Sequence, residues 1–201
     1  MPRRSYDQYC AAARALDSVG DRWTLLIVRE LLAGPRRYTD LHADLPGVST
    51  DVLASRLKDM EREELATRRK LPAPASAFVY ELTRRGRELL PVLTALAEWG
   101  APALAERRPT DAVRAHWFAV PLARRLEGLV EGLVEVHLDE GVFHVRIGGG
   151  EPLYGDGPAP GAPDAVLTMS PGDCLAVAGG ELPAEKFLLT SRAHEHADSD
   201  A

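Results

Sequence analysis

Residues 39–60, TDLHADLPGVSTDVLASRLKDM, hold a short helical pattern to Leu45, a Pro46-Gly47-Val48 break, and a second helix opening at Ser49. Pro-Gly pairs end regular structure, and Ser49 or Thr50 suits the helix start because its side-chain oxygen accepts a hydrogen bond from an otherwise orphaned backbone N–H. In the second helix Leu53, Leu57 and Met60 recur at i, i+4 and i+7, so they face a core. Thr50, Asp51, Ala54, Ser55, Arg56 and Lys58 are left for the other faces. Two helices joined by so short a turn predict a helix-turn-helix, a motif that offers its second helix to the major groove of DNA. Arg56 can donate two hydrogen bonds to a guanine edge, and Ser55 or Thr50 can reach bases or phosphate. Solvated helix faces carry the same residue types, so the flanking sequence has to decide.

Downstream, Arg68-Arg69-Lys70-Leu71 and Phe78-Val79-Tyr80-Glu81-Leu82 read as two strands around the connection Pro72–Ala77. A helix-turn-helix followed by a basic hairpin predicts a winged helix, with Arg68, Arg69 and Lys70 where a phosphate backbone or minor groove would lie. Upstream, one helix is expected over Tyr6–Ser18. A second is expected from an Asp21 cap, burying Trp23, Leu26, Ile27 and Leu31 before Gly34-Pro35 stop it. A third is expected over Tyr38–Leu45, capped by Thr39 or Asp40. From Arg84 to Arg107 a long helix is predicted, with Leu89, Leu93 and Leu96 on one stripe and Val92, Trp99 and Ala103 on another. That apolar surface is too wide for one contact, so Leu89, Val92, Leu96 and Trp99 are expected to meet a second copy across a two-fold axis. Pro91 should bend this helix or restart it.

Composition bounds the rest. At 201 residues and 45% apolar content, the chain is expected to form two small domains. The net charge of -6 conceals an asymmetry: residues 1–109 carry 18 basic and 15 acidic side chains, net +3, whereas residues 110–201 carry 6 and 15, net -9. Attraction to phosphate depends on the local patch, so the acidic half does not exclude nucleic-acid binding by the other. No apolar run nears the roughly 20 residues that span a bilayer, and the charged start lacks a signal-peptide core, so a cytoplasmic protein without a membrane partner is expected.

The composition shift after Arg107-Arg108-Pro109 marks the expected boundary between a domain at 1–109 and one at 110–190, with a polar tail at 191–201 expected to be disordered. Ala112–Leu133 suggests one helix or two, interrupted near Pro121. The period then becomes two: Val134, Val136 and Leu138 alternate with polar residues, Asp139-Glu140-Gly141 turns, and Phe143, Val145 and Ile147 alternate again, predicting an amphipathic hairpin. A loop over Gly148–Pro163, a strand Ala165–Met169, a helix capped by Ser170 or Asp173 and a short helix at Ala184–Leu189 complete the pattern.

No serine-histidine-aspartate order, nucleotide loop or paired-acid motif stands out, and Gly148-Gly149-Gly150 lacks the strand-to-helix setting of a phosphate loop, so no enzyme and no cofactor are expected. Two cysteines, Cys10 and Cys174, make neither a disulfide framework nor a metal site. His194-Glu195-His196 offers at most adventitious metal binding, and no metal centre is expected.

The ordered set Cys10, Leu16-Asp17-Ser18-Val19-Gly20-Asp21-Arg22-Trp23, Gly47-Val48-Ser49, Leu53, Arg56-Leu57, Leu65, Arg68, Tyr80-Glu81-Leu82-Thr83, Gly86, Leu89 and Trp99 resembles the HxlR-type winged-helix transcription regulators, relatives of the MarR group. The resemblance spans about residues 6–100 and departs at Glu64, where the family usually has a glycine. It implies a homodimer on a pseudo-palindromic double-stranded operator, with Ser49, Thr50, Ser55 and Arg56 at groove-facing positions and Arg68, Arg69 and Lys70 in the wing. It also makes Cys10 a candidate sensor of electrophiles or oxidants, with Arg14 one turn away to favour the thiolate. Asp164–Met169 followed by Asp173, Gly180 and Phe187 resembles a sterol carrier protein-like domain, a fold with an apolar tunnel. That second resemblance implies an α+β chain and a hydrophobic small-molecule effector, with Trp117, Phe118, Phe143, Val145 and Met169 as candidate pocket residues, although side chains of these types at such spacing more often simply fill a core. The strand usual after the phenylalanine is not expected here. Two other readings stand beside the ligand-modulated regulator: a redox regulator using Cys10, and a lipid or small-molecule carrier without specific DNA binding.

Overall fold

The computed structural model describes residues 5–104, 107–149 and 153–190. The chain falls into two compact units, residues 1–91 and 92–201. No helix among the described residues is long and apolar enough to cross a membrane.

The first unit contains α1 (Ala11–Val19), α2 (Thr24–Leu32), α3 (Tyr38–Asp44) and α4 (Thr50–Arg62). Its sheet is antiparallel, in the order β1 (Arg36–Arg37), β3 (Phe78–Leu82), β2 (Ala66–Lys70). Ile27, Val28 and Leu31 of α2, Leu41 and Leu45 around α3, and Leu53, Leu57 and Met60 of α4 are buried together with Leu65, Val79 and Leu82. Each such side chain contributes about 1.5 to 3 kcal/mol relative to leaving it in water, which fixes the rotation of α4 about its axis. This is the winged helix that the spacing predicted, with α3, the turn and α4 as its helix-turn-helix.

Several boundaries move for identifiable reasons. Helix α1 begins at Ala11 rather than Tyr6, because the Asp17 carboxylate accepts hydrogen bonds from the Tyr6 backbone N–H and the Ser5 hydroxyl and holds the leading segment off the helix axis. Asp21 does not cap α2 directly; its carboxylate accepts from the Trp23 N–H in a turn that precedes the helix. Asp40 is not the cap of α3 but its third residue, accepting back from the Arg37 N–H. The expected helix over 84–107 is broken into α5 (Arg84–Arg87) and α6 (Leu90–Gly100), followed by a 3-10 turn over Ala101–Leu104. Pro91 sits in the first turn of α6, where its missing N–H costs nothing, so it restarts the helix.

In the second unit a 3-10 turn at Ala115–Phe118 leads into α7 (Ala119–Leu126), whose first turn accommodates Pro121 without a break. A mixed sheet follows, ordered β6 (Tyr154–Asp156), β5 (Gly141–Ile147), β4 (Gly132–Leu138), β7 (Ala165–Thr168), β8 (Leu188–Thr190). All neighbours are antiparallel except β4 and β7. Val134, Val136 and Leu138 of β4, Phe143, Val145 and Ile147 of β5, and Ala165 and Leu167 of β7 are buried, while the residues between them are not. Helix α7 packs on β5 and on α8 (Pro171–Gly179), which starts with a reciprocal Ser170–Asp173 cap and stops at left-handed Gly180.

Three strands escaped the periodicity: β1, β6 and β8 have two or three residues each, too few to show a period. Strand β8 corrects the expectation that no strand follows Phe187; Leu188, Leu189 and Thr190 pair with Leu167, Val166 and Ala165. The charge shift after Pro109 and the packing division after Pro91 do not coincide, because α6 runs across the latter as one helix. The tail 191–201 and the His194-Glu195-His196 group lie outside the described residues, as does Gly150 of the glycine triplet.

Candidate nucleic-acid interface

The turn before α4 requires a left-handed residue, and Gly47 supplies it with a φ of 85°. Ser49 then caps α4, its hydroxyl accepting from the Val52 N–H at 3.3 Å. A second brace is one the sequence did not disclose: the Tyr38 hydroxyl donates to the Thr50 carbonyl oxygen at 2.7 Å, tying the start of α3 to the start of α4. Only the fold brings the Tyr38 hydroxyl to the Thr50 carbonyl.

With Leu53, Leu57 and Met60 inward, the helical period of about 100° per residue sends Asp51, Ser55, Lys58 and Arg62 straight outward. All four are exposed, as are Ser49 and Thr50 at the helix start. Arg56 behaves differently. It lies about 60° from the core-facing stripe on this period, its guanidinium is 3.4 Å from the Asp21 carboxylate and 2.6 Å from that of Asp59, and its side chain is 27% exposed. Arg62 pairs with Asp59 at 2.7 Å and approaches Glu63 at 3.8 Å. Arg56 is therefore on the flank of α4, one of the faces that the buried Leu53, Leu57 and Met60 stripe leaves to polar side chains.

In the wing, Arg68, Arg69 and Lys70 are all exposed on the edge strand β2. They are not equivalent. Arg69 makes a two-pronged bond to Glu81, with N–O distances of 3.0 to 3.1 Å, and that bond raises the guanidinium pKa further. The Arg68 guanidinium stacks 4.0 Å from the Phe78 ring centroid. Lys70 is exposed and forms no ion pair among the described residues. The loop Pro72–Ser76 is exposed and holds no cation, so the positive charge of the wing sits on its strand rather than at its tip.

Val92, Leu96 and Trp99 form one exposed apolar row on α6, with Trp99 83% exposed. Leu89 precedes the helix and is half-buried. Cys10 is exposed at the start of α1; Arg14 pairs with Asp17 at 3.7 Å. Cys174 is buried, which pushes its thiol up to about 12. Of the pocket candidates, Phe143 and Val145 are fully buried, Met169 is buried, and Trp117 and Phe118 are half-buried in the 3-10 turn that meets β5. A cleft of about 440 Å³ elsewhere in the second unit is lined by Arg125, Glu127, Leu129, Val177 and residues 180–185, and touches none of the five.

The fold and this exposed helix define a winged helix-turn-helix protein of mixed α+β structure. The HxlR-like helix-turn-helix family model matches residues 18–108. The chain is 37% identical over 86 residues to the HTH-type transcriptional regulator YvaP of Bacillus subtilis, covering 43% of this chain and 80% of that relative. It is 34% identical over 85 residues to the HTH-type transcriptional regulator YodB of the same organism, covering 42% of this chain and 76% of the relative. Among solved structures, the reduced form of the Bacillus subtilis regulator YodB aligns at 29% identity with a TM-score of 0.43, covering 50% of this chain and all of that one. The chain belongs to the HxlR family. It is a DNA-binding transcriptional regulator.

Proposed function

We propose that the protein binds a pseudo-palindromic operator as a homodimer, with one α4 in each of two successive major grooves about 34 Å apart. The observation that carries this is the outward row of Asp51, Ser55 and Lys58 on a helix fixed at its start by Ser49 and Tyr38. In this reading Ser49, Thr50, Asp51, Ser55 and Lys58 form the groove-side surface of α4 with Arg56 on its flank, while Arg68, Arg69 and Lys70 lie along the flanking phosphates. The exposed row Val92, Leu96 and Trp99, with Leu89 beside it, forms the contact between copies; such an apolar patch marks an association surface. Residues 1–109 thus bind DNA and dimerise.

Residues 110–190 form, in the same proposal, a sterol carrier protein-like domain whose apolar ligand shifts operator affinity through the dimer. Support comes from the apolar sheet face on which α7 packs, with α8 against α7 and with Trp117, Phe118, Phe143, Val145 and Met169 around it. The test titrates the protein against labelled DNA from upstream of its own gene at two salt concentrations, with a scrambled competitor. Specific binding that weakens steeply with salt is expected, and Lys58→Ala should flatten that slope by about one released counterion. Equal binding to the scrambled fragment and to a random-sequence library sinks the regulator reading and leaves the carrier. Apolar small molecules that never alter the affinity sink the effector. The exposure of Cys10 favours a second reading, oxidant sensing; a Cys10→Ser variant with an unchanged oxidant response removes it.

A further inference from the structure

We infer that α4 reads a cytosine amino group through Asp51, beside a thymine methyl met by Val52, and that Arg56 is a positioning residue that reads no base. The inference rests on the proposed docking of α4 in the major groove. Asp51 lies in the first turn of α4, is exposed, and forms no ion pair among the described residues. A carboxylate turned toward DNA is repelled by the phosphates, and accepting hydrogen bonds from a base edge offsets that repulsion. The major groove offers two such donors, the amino groups of cytosine and adenine. In an A·T pair the adenine amino group is flanked by acceptors on both sides, N7 of adenine and O4 of thymine, whose lone pairs repel a carboxylate that has only acceptors; in a G·C pair the cytosine amino group has an acceptor on one side alone, O6 of guanine, and the C5–H edge on the other. Asp51 therefore selects cytosine.

Val52, next in the same turn, is 39% exposed although it belongs to an apolar residue type, and it is absent from the buried core. The thymine methyl is the apolar feature of the major groove that such a side chain can cover. Arg56 cannot serve as the guanine reader without leaving both Asp21 and Asp59, and Arg62 is held by Asp59 and Glu63. Lys58 is the remaining cation of α4 and forms no ion pair; a flexible ammonium acts as a point charge for phosphate. The Arg56–Asp21 contact links α4 to the turn before α2, so its role is to hold the helix at its angle.

The experiment selects duplexes from a random-sequence library with the full-length protein and its Asp51→Ala, Asp51→Asn, Val52→Ala, Arg56→Ala and Asp21→Asn variants. The thermal midpoint of each variant is measured alongside. The unaltered protein is expected to select half-sites with a fixed cytosine, and to lose about tenfold or more in affinity when that pair is changed. Asp51→Ala should lose the preference, and Asp51→Asn should move it toward adenine, whose amino group and N7 an amide matches. Replacing the adjacent thymine by uracil should weaken the unaltered protein but not Val52→Ala. Arg56→Ala and Asp21→Asn should weaken all sequences alike and keep the base preference. An Asp51→Ala variant that melts lower yet selects the same bases overturns the inference and makes Asp51 a helix-dipole residue. Loss of a guanine preference in Arg56→Ala also overturns it. If the unaltered protein selects no sequence, the groove-docking proposal itself fails, a result distinct from either of these.

Discussion

Glu64 shows how one residue can conflict with an otherwise consistent helix end. Helix α4 closes with the Leu65 N–H bonded to the Met60 carbonyl and the Glu64 N–H bonded to that of Glu61, a Schellman pattern that demands a left-handed residue between them. Glu64 meets the demand with a φ of 57°. Its Cβ then crowds the following carbonyl, a strain of about 1 to 2 kcal/mol, partly offset because glycine would lose more freedom on folding. Glu64→Gly is expected to raise the unfolding free energy by about 0.5 to 1 kcal/mol, read as a higher urea midpoint at unchanged slope. The departure from the family's glycine was visible in sequence, but the handedness of the position was not. Arg56 teaches the complementary lesson. Its charge was legible as a DNA contact, yet its partners Asp21 and Asp59 come from a turn distant in sequence and from its own helix, and only packing decides which carboxylates it meets.

Among elements, the strongest periods were read most accurately. Leu53, Leu57 and Met60 predicted the buried face of α4, and the alternation in 134–147 predicted β4 and β5, with Leu138 paired to Gly141 across the turn. The short strands β1, β6 and β8 were illegible because backbone pairing to a neighbour, rather than side-chain pattern, creates them. The polar face of the β4–β5 hairpin carries a testable consequence. There the Glu135 carboxylate accepts from the Ala159 N–H at 2.7 Å and lies 2.7 Å from His137 Nε2, so the loop after β6 is tied to the sheet. The Ala159 N–H, then His137, lower the Glu135 pKa below its ordinary 4.5, against a smaller opposing effect of burial. Because the folded value is depressed, this stabilisation is fully present above the ordinary value and is lost as pH falls through the folded one. Thermal midpoints followed from pH 6 down to pH 3 should fall less steeply for Glu135→Gln than for the unaltered protein; parallel curves would show that Glu135 contributes nothing to acid sensitivity.

For the whole molecule, the division of charge between a net +3 first half and a net -9 second half accords with confining phosphate contact to the first. The proposed contact between copies belongs to this scale, because α6 exposes Val92, Leu96 and Trp99 together. A glutamate there would bring two like charges into an apolar contact. Leu96→Glu is expected to convert a dimer into a monomer by sedimentation, with unchanged helical circular dichroism and a loss of operator affinity exceeding tenfold, since each half-site then binds alone. A dimer that survives the substitution would place the contact between copies elsewhere.

The sequence alone determined the helix-turn-helix, the wing, the inward face of α4 and the amphipathic hairpin, because each rests on a local period or a turn residue that needs no distant partner. The tertiary structure decided which polar side chains of α4 are engaged and which are free. It also decided that three short strands complete the sheets, and that the helix after residue 84 breaks before Pro91. These outcomes depend on groups far apart in the chain, whose hydrogen bonds and ion pairs exist only once the core has fixed the elements in place.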